Sequence, residues 1–503
     1  MVYFYQKNVF VGQEKGTCNL FLFFLLFTFL FCIIPSVSKA DGRPYKVKDI
    51  GSVAFLTPIN DSIYFWGDTA NGEGLWTSDG TSTGTNEMYH MIGARRFTLV
   101  NGNIFFTADE NYDGNSELWL TNGTHDGTRQ VKVINTYCQC DSISGLKSFK
   151  NLLFFSGFDP DYSWELWSSD GTAQGTAMVK NIHPEELYEQ GSGAGPDFEF
   201  QNHLYFHADD GTHGSELWVS DGTNGGTYIF DDINPGGKES HSSPSHFINF
   251  GDTFLFSAIT DSAGQELWIS KGLVNGSNDG TQLLKDIFPG TKDGVANSSD
   301  PENLVLFQGK IYFIAADSYN PDNPSLKNYA LWSTDGTPEG TSKVYGHPDW
   351  YGNYIPGQLT VVDDKLFFVA GDQVHQVEVW VSDGTASGTH LLKDIYPGRK
   401  DGFFDYPRGL TKVGASLYFA ANDGRTGSEL WKSDGTADGT VLVKDIVPGS
   451  DGSQPDEFVV TPSHLFFRVN HMELWAIDRN ATSGIGQGSF WDLFLPAILS
   501  GKK

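Results

Sequence analysis

The stretch "ELWKSDGTADGTVLVKDIVPG", residues 429–449, fixes the reading of the whole chain. "SELWKS" (Ser428–Ser433) and "TVLVKDI" (Thr440–Ile446) are short runs rich in apolar and β-branched residues, and "DGTADG" (Asp434–Gly439) lies between them. Such runs separated by Asp and Gly are strand, turn and strand. Asp434 can accept backbone N–H groups of its own turn, and Gly435 can take a positive φ. Just upstream, "LTKVGA" (Leu410–Ala415) and "SLYFAAND" (Ser416–Asp423) read as two more strands, with the Gly loop "GRTG" before Ser428. Four short antiparallel strands in about 48 residues make one blade of a β-propeller.

The unit repeats. Its Trp recurs at Trp76, Trp119, Trp167, Trp218, Trp268, Trp332, Trp380, Trp431 and Trp475, between 43 and 64 residues apart. Those nine copies cover nearly all of the chain after residue 40. The second strand of each unit is apolar at nearly every position, as in "LYFAA", "IFFTA" and "LFFVA". A strand covered on both faces need not alternate, so each blade is expected to lie between two others. Repeat nine stops after "MELWAIDRN" and lacks the "LVKDI" strand, whereas "YKVKDIG" (Tyr45–Gly51) supplies such a strand near the start. The N-terminal strand is therefore expected to complete the last blade, which leaves no open edge. The fold class predicted is all-β: one closed propeller of nine four-stranded blades over residues 41–480. Eight blades plus a degenerate repeat, or two smaller rings, are the alternatives.

The strings "ELWVSDGT" (Glu216–Thr223), "ELWKSDGT" (Glu429–Thr436) and "LWSTDGT" (Leu331–Thr337) resemble the ELWxxDGT repeat family of secreted and surface proteins, from about residue 45 to 480. The resemblance implies a propeller-like repeat and an extracellular address, and it implies no particular reaction. The hairpin "SDGTADGT" also resembles the Asp-box turn of sialidase-type propellers, where the turn is structural.

Glu precedes Leu-Trp or Val-Trp in seven of the nine copies: Glu117, Glu165, Glu216, Glu266, Glu378, Glu429 and Glu473. Catalysis needs a given group once or twice, whereas packing needs it at every step of a ring. The repeated motif is therefore expected to be scaffold. Function is expected where blades depart from it, on the face shared by the loops joining strands two and three and by the links between blades.

Three departures fall there. In "DENYDGNSE" (Asp109–Glu117), Asp109, Asn111, Asp113 and Glu117 place oxygen ligands around Gly114 in the spacing D-x-N-x-D-G-x-x-E. That pattern can wrap a hard cation, which makes calcium the candidate cofactor. It is similar to the calcium hairpins of integrin-type propellers, with Glu in the last place instead of Asp. The alternative is a turn whose side chains cap its own backbone. In "YGHPDWYGNY", Trp350, Tyr351 and Tyr354, with Tyr345, could stack on sugar rings, and His347, Asp349 and Asn353 could hydrogen bond to them. The alternative is aromatic packing that pins a long loop. The insert "SYNPDNPSLKNY" (Ser318–Tyr329) should share that face. In "CQC", Cys138 and Cys140 are candidates for a local disulfide, an intermolecular bridge or a soft-metal pair.

Composition narrows the partners. The chain has 503 residues, is 14% aromatic and carries a formal net charge of −29. That balance disfavours nucleic acid and anionic membrane surfaces. Lys7 and Lys15 precede the apolar run Cys18–Ile34, and Pro35 and Ser38-Lys39-Ala40 follow it. This reads as a secretory signal peptide over residues 1–40, leaving no transmembrane span once cleaved. Residues 481–503 read as a short apolar tail. Sequons begin at Asn60, Asn122, Asn275, Asn297 and Asn480, the glycosylation candidates. No G-x-S-x-G, P-loop or dinucleotide fingerprint falls at a credible strand–helix junction. The expectation is a secreted or cell-surface propeller that binds an extracellular protein or glycan, assisted by calcium. A carbohydrate-active enzyme, with acid and base drawn from carboxylates at the central mouth, is the alternative.

Overall fold

In the eighth repeat the four strands run over Arg408–Val413, Ser416–Asn422, Ser428–Ser433 and Val441–Lys444, within three residues of the segments read from the sequence. The same unit occurs nine times in the computed structural model. The structure describes residues 42–110, 114–134, 142–184, 191–274, 276–278, 280–350, 355–398 and 406–480. The expected leader and the C-terminal tail lie outside these residues.

Each blade is a four-stranded antiparallel sheet whose spatial order follows the chain. The ninth blade takes Asp456–Val460, His464–Val469 and Glu473–Asp478 from the end of the chain and Tyr45–Lys46 from its start. Tyr45 pairs with Ala476 and Lys46 with Trp475, and the Val47 N–H donates to the Leu474 carbonyl at 3.0 Å. The first strand of the first blade, Ser52–Ile59, lies beside the first strand of the ninth. The ring therefore closes with nine blades, and neither eight nor two smaller rings describes it. The longest spacing between motif tryptophans, in blades five and six, holds two small hairpins: Leu273–Val274 with Ser277–Asn278, and Thr291–Lys292 with Val295–Ala296.

The core is a set of nine hydrophobic clusters, each shared by two adjoining blades. At the seam, Val53, Phe65 and Trp76 of blade one pack with Phe466, Leu474 and Ala476 of blade nine. In the second strand of blade seven, Leu366, Phe367, Phe368, Val369 and Ala370 are all buried, because a neighbour covers each face. The motif Trp presses against the preceding blade, as Trp167 does on Leu118, Val131 and Ile134. Burying a side chain of this kind contributes on the order of 2 kcal/mol or more.

Polar latches join many of the same blades. In five described blades the motif Glu turns inward and accepts the backbone N–H groups of the link that leads to the next blade. Glu165 accepts from Ile182 and His183, Glu378 from Ile395 and Tyr396, and Glu429 from Ile446 and Val447. Glu216 takes Ile233, Asn234 and Ser242, and Glu266 takes Ile287, Phe288 and Ser299. A serine hydroxyl just before the next blade adds a short bond, such as Ser299 Oγ to Glu266 Oε2 at 2.6 Å. A second latch uses the Lys of "VKDI". At five junctions its ammonium donates to the carbonyl of the last Thr in the next blade's turn, at 2.5 to 2.7 Å. Four motif lysines also stand within 6.0 Å of the next blade's Trp ring. The "DGT" turn closes on itself. Asp434 Oδ1 accepts from the Thr436 backbone and hydroxyl, while Ser433 and Thr440 hydroxyls bond at 2.8 Å.

Burial outweighs the hydrogen bonds that favour the carboxylate at Glu266 and raises its pKa from 4.5 to about 7, although Ser299, Ile287 and Phe288 all oppose the shift. Burial also raises the pKa of Glu165, Glu216 and Glu429. A carboxyl whose folded pKa lies above its unfolded value stabilises the fold while protonated. That contribution is complete below 4.5 and is lost as pH rises through about 7. Glu266→Gln should therefore gain stability relative to the native protein between the acid and neutral ends of that window, by up to roughly 3 kcal/mol. Urea unfolding at several pH values measures the difference; a difference independent of pH contradicts it.

Candidate functional site

The repeated carboxylates are occupied in holding links, so the singular residues must be sought elsewhere. The innermost strands supply them. In eight blades the ladder between first and second strands skips two residues at the same place: between Ala54 and Thr57, Arg95 and Thr98, Ser144 and Lys147, Ser245 and Ile248, Glu302 and Val305, Gly357 and Thr360, Arg408 and Thr411, and Asp456 and Val459. The first skipped residue is left-handed each time. These are Phe55 (φ 61°), Arg96 (60°), Gly145 (63°), His246 (55°), Asn303 (56°), Gln358 (56°), Gly409 (69°) and Glu457 (47°). Counting back from Phe198–Tyr205, the pair that matches Thr57–Tyr64, blade four has Pro196 there. Such bulges bend a strand and re-aim its side chains. The left-handed region costs a non-Gly residue on the order of 1 kcal/mol or more.

Each bulge lies near the start of its strand, where the chain enters from the link. The eight positions therefore lie around the mouth of the channel on the face of the links and second–third loops. Backbone geometry repeats around this ring and side-chain chemistry does not.

Part of the ring is tied into a belt. Asn303 Oδ1 accepts the Gln358 N–H at 3.3 Å, and Gln358 Oε1 accepts the Gly409 N–H at 2.9 Å. Across the seam, Glu457 Oε2 accepts the Leu56 N–H at 3.1 Å. Gly409 is constrained twice, because any Cβ there would stand 2.6 Å from the Phe458 ring.

Two grooves open on the belt. One, of about 440 Å³, lies between blades seven, eight and nine and is lined by Gln358, Arg408, Asp456, Glu457 and Phe458 among others. Arg468, on the second strand of blade nine, donates to Asp456 at 2.7 and 2.9 Å and lies 3.1 Å from Glu457 Oε1. His471 Nδ1 lies 2.5 Å from Asp456 Oδ2. All four oxygens of this adjacent carboxylate pair are thus engaged, and the pair shapes a wall. The other groove, of about 430 Å³, lies between blades five and six and is lined by His246, Phe247, Glu302, Asn303 and Leu304. Burial pushes the Glu302 carboxyl above the usual range, and the nearby His246 opposes the shift.

The residues singled out from the sequence are placed differently. Trp350 is fully buried, edge-on to Phe368 and Trp380 with ring centroids 5.6 and 5.5 Å away. It cannot stack on a ligand, and that expectation is corrected: a large indole in a link between blades is drawn into their interface. Tyr345 and His347 pack on Trp350, and Asp349 accepts the Gln373 N–H at 3.1 Å. The Tyr329 N–H donates to the Trp350 carbonyl at 2.9 Å, so the insert and the link do share a face. Tyr351, Asn353 and Tyr354 lie outside the described residues, as do Cys138, Cys140, Asn111, Asp113 and Asn275.

Of the calcium candidates, Asp109 Oδ2 accepts the Gly114 N–H at 3.0 Å. Glu117 is buried at the register position of the latch glutamates, opposite Ala108 as Glu216 is opposite Ala208. Its Oε2 accepts the Glu110 N–H at 3.3 Å. Among the glycosylation candidates, Asn60, Asn122 and Asn480 are exposed. Asn297 is buried: its Nδ2 donates to the Pro289 carbonyl at 3.1 Å and its Oδ1 accepts from the Tyr319 hydroxyl at 3.2 Å. An amide so engaged has no room for a glycan, which corrects that expectation. The bulges themselves carry no sequence signature, since Phe, Arg, Gly, His, Asn, Gln and Glu share one backbone position.

No family model matches the chain, and no curated protein matches it. Among solved structures it is similar to a puromycin hydrolase, at 13% identity and a TM-score of 0.37 over 74% of this chain and 58% of that one. It is similar to a prolyl endopeptidase at 10% identity and 0.40, over 83% of this chain and 54% of that one. It is also similar to BamB from Moraxella catarrhalis at 10% and 0.40, over 77% and 99%. The chain thus spans little more than half the length of the hydrolase and the endopeptidase. Likenesses this distant assign neither activity nor ligand.

Phe55 is 47% exposed in spite of its left-handed φ, whereas Phe65, ten residues on, is completely buried. Phe55→Gly should leave the thermal unfolding midpoint unchanged or raised, because relief of strain offsets the little packing lost. Phe65→Ala should cost about 3 kcal/mol or more. Equal losses from the two would contradict a strained, outward-facing Phe55.

Proposed function

We propose that this protein is a secreted or cell-surface binding module that takes an extracellular protein or glycan at the mouth of its channel, with calcium at the Asp109 loop as its candidate cofactor. One observation carries the reading: eight equivalent bulge positions hold seven kinds of residue on one mouth. A binding surface needs such a fixed frame with varied chemistry, and a scaffold does not. The leader-like N-terminus, the ELWxxDGT resemblance and the exposed sequons at Asn60, Asn122 and Asn480 support the extracellular address. The net charge of −29 argues against nucleic acid as the ligand. Among the described residues no helix is long and apolar enough to cross a membrane.

The competing reading is an extracellular carbohydrate-active enzyme. It needs a close carboxylate pair free to exchange protons with substrate. Asp456 and Glu457 are adjacent, but Arg468, His471 and the Leu56 N–H occupy their oxygens.

A glycan array and an extracellular-protein array, each probed in calcium and in chelator, test the proposal when combined with mass spectrometry of the glycans afterwards. The expected result is retained ligand of unchanged mass, weakened by chelator. New glycan products without stable retention would establish the enzyme reading instead.

A further inference from the structure

The belt of side chains and bulge amides that runs from blade six through blade seven to blade eight does not extend back to blade five. Asn303 and Gln358 each reach forward to the next blade, but His246 does not. It is exposed, and the hydrogen-bond contact described for it is the hydroxyl of its own neighbour, Ser245, at 3.4 Å. Where the belt is open, the groove exposes Glu302 beside Phe247. Phe247 is held rigidly, stacked at 5.5 Å on both Phe198 and Phe256.

Glu302 is half-buried and, among the described residues, has no ion pair with Lys or Arg. The nearby ammonium of Lys327 is taken by Asp300 at 2.5 Å, and the Tyr329 hydroxyl binds the same carboxylate at 3.1 Å. A carboxylate partly removed from water without a cation is costly, and a cationic group that enters beside it recovers much of that cost. An aromatic ring on the same wall favours an ammonium further. The negative field of the whole chain steers cations toward it.

From this geometry we infer that the groove formed by His246, Phe247, Glu302, Asn303 and Leu304 is a receptor for a primary ammonium group, carried by an amino sugar or by a lysine side chain. The inference rests on the binding-module reading and names the chemistry of one part of its mouth. Glu302 supplies the charge, Phe247 the aromatic wall, and Asn303 fixes the floor through its bond to the next blade. The upward shift of Glu302, caused first by burial, agrees with a carboxylate that lacks a full counter-charge.

Calorimetry near neutral pH and low salt, with the full chain, tests this. The probes are glucosamine trimer against N-acetylglucosamine trimer, and an N-acetylated Gly-Lys-Gly-Lys-Gly peptide against the same peptide with both lysines acetylated. At least one amine probe should bind roughly tenfold or more tightly than its acetylated twin. Which of the two it is distinguishes the sugar source from the protein source. Glu302→Gln should remove that preference with an unfolding midpoint unchanged or raised. Glu199→Gln, which deletes an exposed charge from the first strand of blade four, should keep it. His246→Lys, which places an ammonium of the chain's own beside Glu302, should abolish amine binding in a second, independent way. Equal binding of amine and acetylated probes overturns the inference, as do equal losses from Glu302→Gln and Glu199→Gln. Retention of another glycan or protein at the mouth in either case leaves the binding module standing without this receptor.

Discussion

Five of the described junctions in this ring depend on a carboxylate that has been taken out of water. There the motif Glu accepts two or more link N–H groups, and in four of those blades a serine hydroxyl as well. The link has no sheet to satisfy those donors, and it passes through the seam between two apolar faces. A buried donor left alone costs on the order of 1 to 3 kcal/mol. Glu216 meets three backbone N–H groups and a hydroxyl. One side chain therefore settles several obligations, and it does so where the next blade must begin. Desolvation at Glu266 strong enough to raise its pKa to about 7 indicates how dry that seam is. The Lys latch on the outer side adds a tie in the same direction round the ring, and at three junctions, those leaving blades three, five and seven, the two latches act together.

Closure follows from the same parts. The last blade borrows Tyr45–Lys46, and that short strand brings its own latches: Lys48 to the Thr85 carbonyl, and Lys46 to Glu473 at 2.9 Å. Glu457 and Arg468 tie the inner edge across the seam, to the Leu56 N–H and the Val53 carbonyl. With the frame fixed from outside and inside, the bulge residues are released from packing duty. That release is why Phe, Arg, His and Glu can all sit at one left-handed position, and why the mouth differs in chemistry from sector to sector.

Much of this was legible in the sequence. The period of the Trp gave the blade count, the uninterrupted apolar second strands gave the burial of both faces, and "YKVKDIG" gave the closing strand. The reading of Glu as scaffold was also available, because nothing else explains a carboxylate at seven of nine steps. Its partners were not legible, since a link N–H has no sequence signature. Aromatic composition misled at Trp350: an exposed stacking platform and a buried interface plug are the same letters, and the packing against Trp380 decided between them. The sequon at Asn297 misled for a similar reason, because a motif of three residues says nothing about the Tyr319 hydroxyl that occupies its amide. The bulge ring was invisible because it is defined by backbone geometry and its residues share no chemical type.

Amide hydrogen exchange on Glu429→Ala tests the central claim most directly. If the motif carboxylate is the latch that holds its link, exchange at Ile446 and Val447 should accelerate roughly 100-fold or more, spreading into the ninth blade, while the first strands far from that junction keep their protection. Unchanged exchange at those two amides, together with loss of ligand retention, would show that the repeated glutamate serves the ligand and not the ring.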